Sequence, residues 1–183
     1  MTARQRPRAK SGSPERPGNK TIFVDRDDTI VPDRVYLDNA EGIELLEGAG
    51  PTLRQLKDLG FKLALVTNQS GVGRGYFPES VLAEQHARLA ELLAEFGVRF
   101  DAIRHCPHTP DDGCGCRKPQ PGMLIDAGRE LATDFSRSWM IGNSESDVEA
   151  GRAAGCQSIR VTDEVTLERA AQIVVKSERQ RSA

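Results

Sequence analysis

Long apolar runs are missing from this sequence: no stretch approaches the roughly 20 residues that cross a bilayer. The N-terminus also lacks the apolar core and small-residue cleavage site of a secretory signal. A cytoplasmic location with no membrane partner is therefore expected. Charge of one sign is not in excess either, since 25 Lys and Arg stand against 27 Asp and Glu for a net charge of -2. That balance denies the chain the positive field that non-specific nucleic-acid binding needs, so no nucleic-acid partner is expected. Any anionic ligand has to be held by local basic groups. Cysteine is scarce, with four in the chain, and three of them crowd beside a histidine in one short loop. Without an export signal, that clustering favours a metal site over disulfides.

What is present suits one packed domain: 183 residues, 38% hydrophobic and 28% charged. Residues 1–20 are basic and rich in Pro, Ser and Gly, and are expected to be a disordered tail, as are residues 177–183. The folded domain is expected over residues 21–176. There, short β-branched runs at 21–24, 62–66, 102–106, 138–141 and 158–161 alternate with helical periods at 49–59, 78–96, 122–131, 147–154 and, more weakly, 166–171. A short last strand is expected at 173–175. This alternation predicts an α/β fold, a Rossmann-like parallel sheet with helices on both faces, and ligands in such sheets bind beyond the carboxyl ends of the strands.

The predicted strand ends carry the chemistry. The first runs into Asp25-Arg26-Asp27-Asp28-Thr29, two carboxylates spaced to leave the strand on the same side. One can attack phosphorus while the other protonates the leaving oxygen and then activates water. The second ends in Thr67-Asn68-Gln69-Ser70-Gly71, hydroxyls and amides before a glycine-rich turn that can bind phosphate oxygens. Arg117 and Lys118 offer a guanidinium and an ammonium before a helix. The turn at Asn143 can complete an octahedral magnesium shell with Asp25 and the Asp27 backbone. Cys106, His108, Cys114 and Cys116 form a closed Cys3His set expected to hold a structural zinc. Blander roles fall to His86, expected in solvent, to His105, expected on a strand beside the metal loop, and to Trp139 and Cys156, expected in the core.

In this order, these segments resemble the signature motifs of the haloacid dehalogenase superfamily. From about residue 21 to 175 the chain is similar to its branch of D-glycero-D-manno-heptose 1,7-bisphosphate phosphatases and histidinol-phosphate phosphatases. The motifs shared with that branch read Asp25 to Thr29, Thr67 to Gly71, Arg74 to Tyr76, the cysteine loop, and Cys116 to Met123. The resemblance implies a capless, monomeric, magnesium-dependent phosphatase acting on a small phosphorylated metabolite. The expected reaction is hydrolysis at the 7-phosphate of the heptose bisphosphate, with histidinol phosphate as the alternative substrate. It implies Asp25 as nucleophile, Asp27 as general acid and base, and Thr67 and Lys118 as stabilisers of the phosphoryl group. Asp33, Tyr36, Asn68, Gln69, Ser70, Arg74 and Arg117 would bind substrate.

The sequence departs from the family at Asn143, where the pattern has a magnesium-ligating aspartate. Three consequences stand open: a working but weaker metal site, which is the expectation here; compensation by Glu145 or Asp147; or a catalytically weak sugar-phosphate binder. Ser144 also replaces a lysine common in relatives, and Asp28 a glycine.

Overall fold

A computed structural model describes residues 18–181. Five strands form one sheet: β1 (Thr21–Val24), β2 (Lys62–Asn68), β3 (Ala102–Cys106), β4 (Trp139–Gly142) and β5 (Gln157–Arg160). Their spatial order is β3-β2-β1-β4-β5, and every pairing is parallel. The helices are α1 (Ala49–Asp58), the single turn α2 (Ser70–Gly73), α3 (Glu79–Ala94), α4 (Gly122–Glu130), α5 (Glu145–Ala154) and α6 (Leu167–Arg181).

The central strand β1 is buried on both faces, which is why it reads as an unbroken apolar run. Ile22 and Val24 pack with Leu53 and Leu56 of α1, Leu89 and Leu93 of α3, and Ala170 and Val174 of α6. Phe23, between them, faces Leu124 and Ala127 of α4 and Ala150 and Ala154 of α5. Successive crossovers carry the chain outward from β1 through β2 to β3, then back to β4 on the other side of β1. The strand order therefore reverses between β1 and β4, and a crevice opens there at the carboxyl ends. The turn into α5 is fixed by a capping box, Ser144 and Asp147 each bonding the other's backbone N–H.

Two sequence expectations are corrected at the chain ends. The region expected as a short helix, a strand at 173–175 and a loose tail is one helix through Arg181. The β-branched Ile173-Val174-Val175 mimics a strand, but Leu167, Ala170, Ala171 and Val174 are buried at helical spacing, and that packing decides the conformation. Lys20, expected in the N-terminal tail, is also placed: its ammonium meets Glu178 at 2.7 Å, the Leu59 carbonyl at 3.0 Å and the face of Phe61. Asn19 bridges to the 132–134 segment through backbone bonds of 2.9 Å. Residues 1–17 and 182–183 of the expected tails lie outside the described residues. Among the described residues, no helix is long and apolar enough to cross a membrane.

Candidate active site

The backbone N–H of Asp25 still pairs with Ile141 of β4 at 3.0 Å, so its carboxylate is projected from the rigid sheet at the reversal of strand order. Lys118 arrives there from the far side of the cysteine loop and is 4% exposed. Its three donors meet three oxygens: Oδ1 of Asp25 at 2.6 Å, Oδ1 of Asp147 at 2.6 Å and the Val66 carbonyl at 2.8 Å. The Asp147 contact is an ion pair rather than a well-directed hydrogen bond. Asn68 locks the lysine's backbone from β2, donating to the Lys118 carbonyl and accepting from its N–H, both at 3.1 Å.

Asp27 is held by a different set. The Nε of Arg26 donates to its Oδ1 at 2.9 Å, and Oδ2 accepts from Nε2 of Gln69 at 2.7 Å and from Oγ1 of Thr67 at 3.5 Å. Burial is the largest influence on Asp25 and pushes its pKa up to about 6; Lys118 opposes this, while Asp147 and Asp27 reinforce it. Burial alone would lower the pKa of Lys118, but Asp25 and Asp147 raise it, so the lysine stays charged. Three carboxylates thus converge on one ammonium and one guanidinium, a charge balance that leaves room for a cation.

A cleft of about 220 Å³ opens over these groups, lined by Asp25, Asp27, Asp33, Thr67, Asn68, Lys118, Asn143, Ser144 and Ser146. A neighbouring hollow of about 230 Å³ adds Tyr36, Gln69 and Ser70. Arg117 instead lines a pocket formed by the cysteine loop, where it donates to the His108 carbonyl at 3.1 Å. Arg74 stands exposed at the end of α2 and lines neither cleft. The amides of Asn68 and Gln69 are engaged with Lys118 and Asp27, so they hold those residues in place. A larger cavity, about 630 Å³, lies on the outer side of Asp28 and Thr29 but contains neither Asp25 nor Lys118.

Both metal sets can be tested against geometry. Ligand atoms of Cys106, His108, Cys114 and Cys116 lie within 4.8 Å of one another. The Sγ atoms sit 3.2 to 3.6 Å apart and Nδ1 of His108 lies 3.3 Å from Cys116. A tetrahedral site with Zn–S near 2.3 Å has edges of about 3.8 Å, so a small inward collapse separates this cluster from a four-coordinate site. At the cleft, Asp25, Asp27 and Asn143 all line the opening and carry oxygens of the kind that a hard cation prefers. Neither nearby carboxylate is placed to replace the charge missing at Asn143. Glu145 lies outside the cleft, 3.6 Å from Arg160, and Asp147 spends one oxygen on Lys118 and the other on the N–H and hydroxyl of Ser144 at 3.0 and 2.8 Å.

Sequence reasoning missed Arg26 and Gln85, both almost fully buried and joined at 2.8 Å. Arg26 sits inside the first motif but nothing there names its partner, because the pair spans 59 residues and glutamine mid-helix reads as a surface residue. The solvated reading of His86 is corrected for the same reason: α3 packs that face inward, and burial, then Arg26 and His105, push its pKa down to about 4. His105 bonds Glu79 at 2.6 Å and is no part of the cysteine cluster. Trp139 and Cys156 are buried as expected.

A HAD-hydrolase-like family model matches residues 115–179. The D-glycero-beta-D-manno-heptose-1,7-bisphosphate 7-phosphatase of Pseudomonas aeruginosa is 42% identical over 146 residues, covering 76% of this chain and 79% of the relative. The protein of that name from Helicobacter pylori is 42% identical over 134 residues, covering 73% and 77%. Among solved structures, the D,D-heptose 1,7-bisphosphate phosphatase of B. bronchiseptica, complexed with magnesium and phosphate, superposes with a TM-score of 0.78 at 31% identity, over 86% of this chain and 99% of that one. A putative HAD-like phosphatase from Mesorhizobium loti gives 0.76 at 31% identity, covering 90% of each.

Proposed function

The chain belongs to the haloacid dehalogenase-like hydrolases, in the family of D-glycero-beta-D-manno-heptose-1,7-bisphosphate 7-phosphatases, and we propose that it hydrolyses the 7-phosphate of that sugar bisphosphate. The observation that carries this reading is the buried Lys118 ammonium bridging Asp25 and Asp147 at the head of an oxygen-lined cleft, with Asp27 anchored beside it.

Asp25 attacks phosphorus, forming an Asp25 O–P bond as the bond to the sugar oxygen breaks. Asp27, steered by Arg26, Gln69 and Thr67, gives its proton to the departing oxygen. The same carboxylate then takes a proton from water as the water attacks phosphorus, and inorganic phosphate leaves with Asp25 restored. Lys118 orients Asp25 and, with the Thr67 hydroxyl, stabilises charge on the phosphoryl oxygens. A magnesium ion held by Asp25, the Asp27 carbonyl and the Asn143 amide oxygen would offset the repulsion between the phosphate and the attacking carboxylate.

Because the Asn143 amide brings no negative charge, Asn143→Asp is expected to tighten apparent magnesium affinity by about tenfold, some 1.4 kcal/mol. A magnesium titration of phosphate release measures this, and unchanged or weaker affinity would remove Asn143 from the metal set.

The cysteine loop would hold zinc, and its task is mechanical: it fixes the segment that delivers Arg117 and Lys118. Cys116→Ser, or chelation, is expected to release one equivalent of zinc and cost several kcal/mol, about 10 °C in thermal midpoint. Elemental analysis with parallel melting curves checks both; a metal-free protein with an unaltered midpoint contradicts the role.

The substrate assignment is tested by measuring phosphate release from the heptose bisphosphate, histidinol phosphate and common hexose phosphates, with and without magnesium. Magnesium-dependent turnover highest on the heptose bisphosphate is expected. Preference for histidinol phosphate would move the substrate, and no turnover on any of them would leave a sugar-phosphate binder.

A further inference from the structure

Arg26 is 3% exposed, and the mechanism above uses only one edge of it. A buried guanidinium is costly unless its donors are met. Here Nε reaches Oδ1 of Asp27 at 2.9 Å and Nη1 reaches Oε1 of Gln85 at 2.8 Å. Gln85 is fully buried on α3 and turns its amide nitrogen to two backbone carbonyls, Leu37 at 2.7 Å and Asn39 at 3.3 Å. Those carbonyls belong to the segment that follows Asp33 and Tyr36 along the wall of the cleft. A continuous set of hydrogen bonds therefore runs from the cleft wall through Gln85 and Arg26 to the carboxylate of Asp27.

We propose that Gln85 and Arg26 are positioning residues that hold the Asp27 carboxyl for proton transfer and tie that orientation to the 33–39 segment. This rests on the phosphatase reading and deepens it. Asp27 needs fixing more than most acids because its side chain is 26% exposed, and a misplacement of about 1 Å in a reacting group can cost on the order of 100-fold in rate. Asn39 also caps its own turn, its side chain accepting from the Gly42 N–H at 2.9 Å, so the segment offers Gln85 a fixed target.

The test compares the full-length wild type with Gln85→Leu and Gln85→Glu on the heptose bisphosphate and on p-nitrophenyl phosphate, whose leaving group departs without a proton. Gln85→Leu is expected to lower kcat on the sugar phosphate by about 30-fold, while the pre-steady-state burst of p-nitrophenol, which reports transfer to Asp25 before Asp27 acts as base, slows by less than about 3-fold. Gln85→Glu keeps the acceptor for Arg26 but loses the donors to Leu37 and Asn39. It should raise KM for the sugar phosphate by about 10-fold with a much smaller loss in kcat than Gln85→Leu. Hydrogen exchange at residues 33–39 should rise in both variants, a readout independent of turnover. Equal slowing of sugar-phosphate turnover and of the p-nitrophenol burst, or unaltered kinetics, would overturn the orienting role; unaltered exchange would overturn the tie to the segment. If Gln85→Leu fails to fold, the KM shift and exchange of Gln85→Glu decide. A wild type without phosphate release on either substrate sinks the phosphatase reading instead, and the exchange result still judges the tie.

Discussion

Asp25→Asn is expected to abolish phosphate release, by on the order of 10⁴-fold or more, while making the magnesium-free protein more stable at neutral pH. The first effect follows from removing the attacking oxygen, and no other carboxylate replaces it: Asp147 is held by Lys118 and Ser144, and Asp27 is turned toward Gln69 and Arg26. The second follows from linkage. Burial raises the Asp25 pKa from 3.8 to about 6, so the folded state binds the proton more tightly than the unfolded chain does. Stability from this group is therefore greatest below about pH 4, falls as pH rises toward 6, and stays low above it. The asparagine variant lacks that decline. Melting curves in magnesium-free buffer, with the zinc loop left loaded, between pH 4 and 7 should converge at the acid end and separate toward neutrality, with the variant higher. A variant less stable at pH 7 would show that Asp25 is not the strained partner.

Lys118→Met carries the second large effect, on stability and turnover together. Removing the ammonium leaves Asp25 and Asp147, with side chains 10% and 1% exposed, facing each other without a counter-charge. Breaking a buried ion pair from one side costs about 3–5 kcal/mol, or roughly 10 °C for a chain of this size. Turnover should fall by on the order of 10³-fold, because the nucleophile loses its anchor and the phosphoryl group a cation. Adding Asp147→Asn to Lys118→Met should recover part of the stability and none of the activity, since it removes one stranded charge but restores no catalytic group. Urea unfolding of the four proteins in this cycle measures the coupling. Additive losses would mean that the lysine does not bind the two carboxylates together.

The legible parts of this molecule were those whose cause is local. β1, β3 and the starts of α1 and α4 follow from apolar runs and from glycine or proline punctuation, and the carboxylates of Asp25 and Asp27 follow from their position at a strand end. Strand β2 runs two residues beyond its apolar core because Thr67 and Asn68 pair with His105 and Cys106, a contact the polar side chains do not advertise. Helix α6 was misread where β-branching and helical burial conflict, and tertiary packing decided between them. The cysteine cluster was readable from spacing because its ligands are close in sequence, Cys106 at the end of β3 and the other three in the loop that follows. The Arg26–Gln85 link was not, because hydrogen bonds between distant segments leave no periodicity behind. Asn68 and Gln69 were assigned to the ligand on chemical type, whereas their amides are committed to Lys118 and Asp27.

The most direct test is acid-quenched peptide mapping of the Asp27→Asn variant during turnover of p-nitrophenyl phosphate, a substrate that forms the covalent intermediate without needing Asp27 as acid. The account predicts a phosphoryl group trapped on the peptide that carries Asp25, lost when Asp25 is also replaced. Continued turnover with no phosphoryl on that peptide, or with the group on another residue, would contradict it.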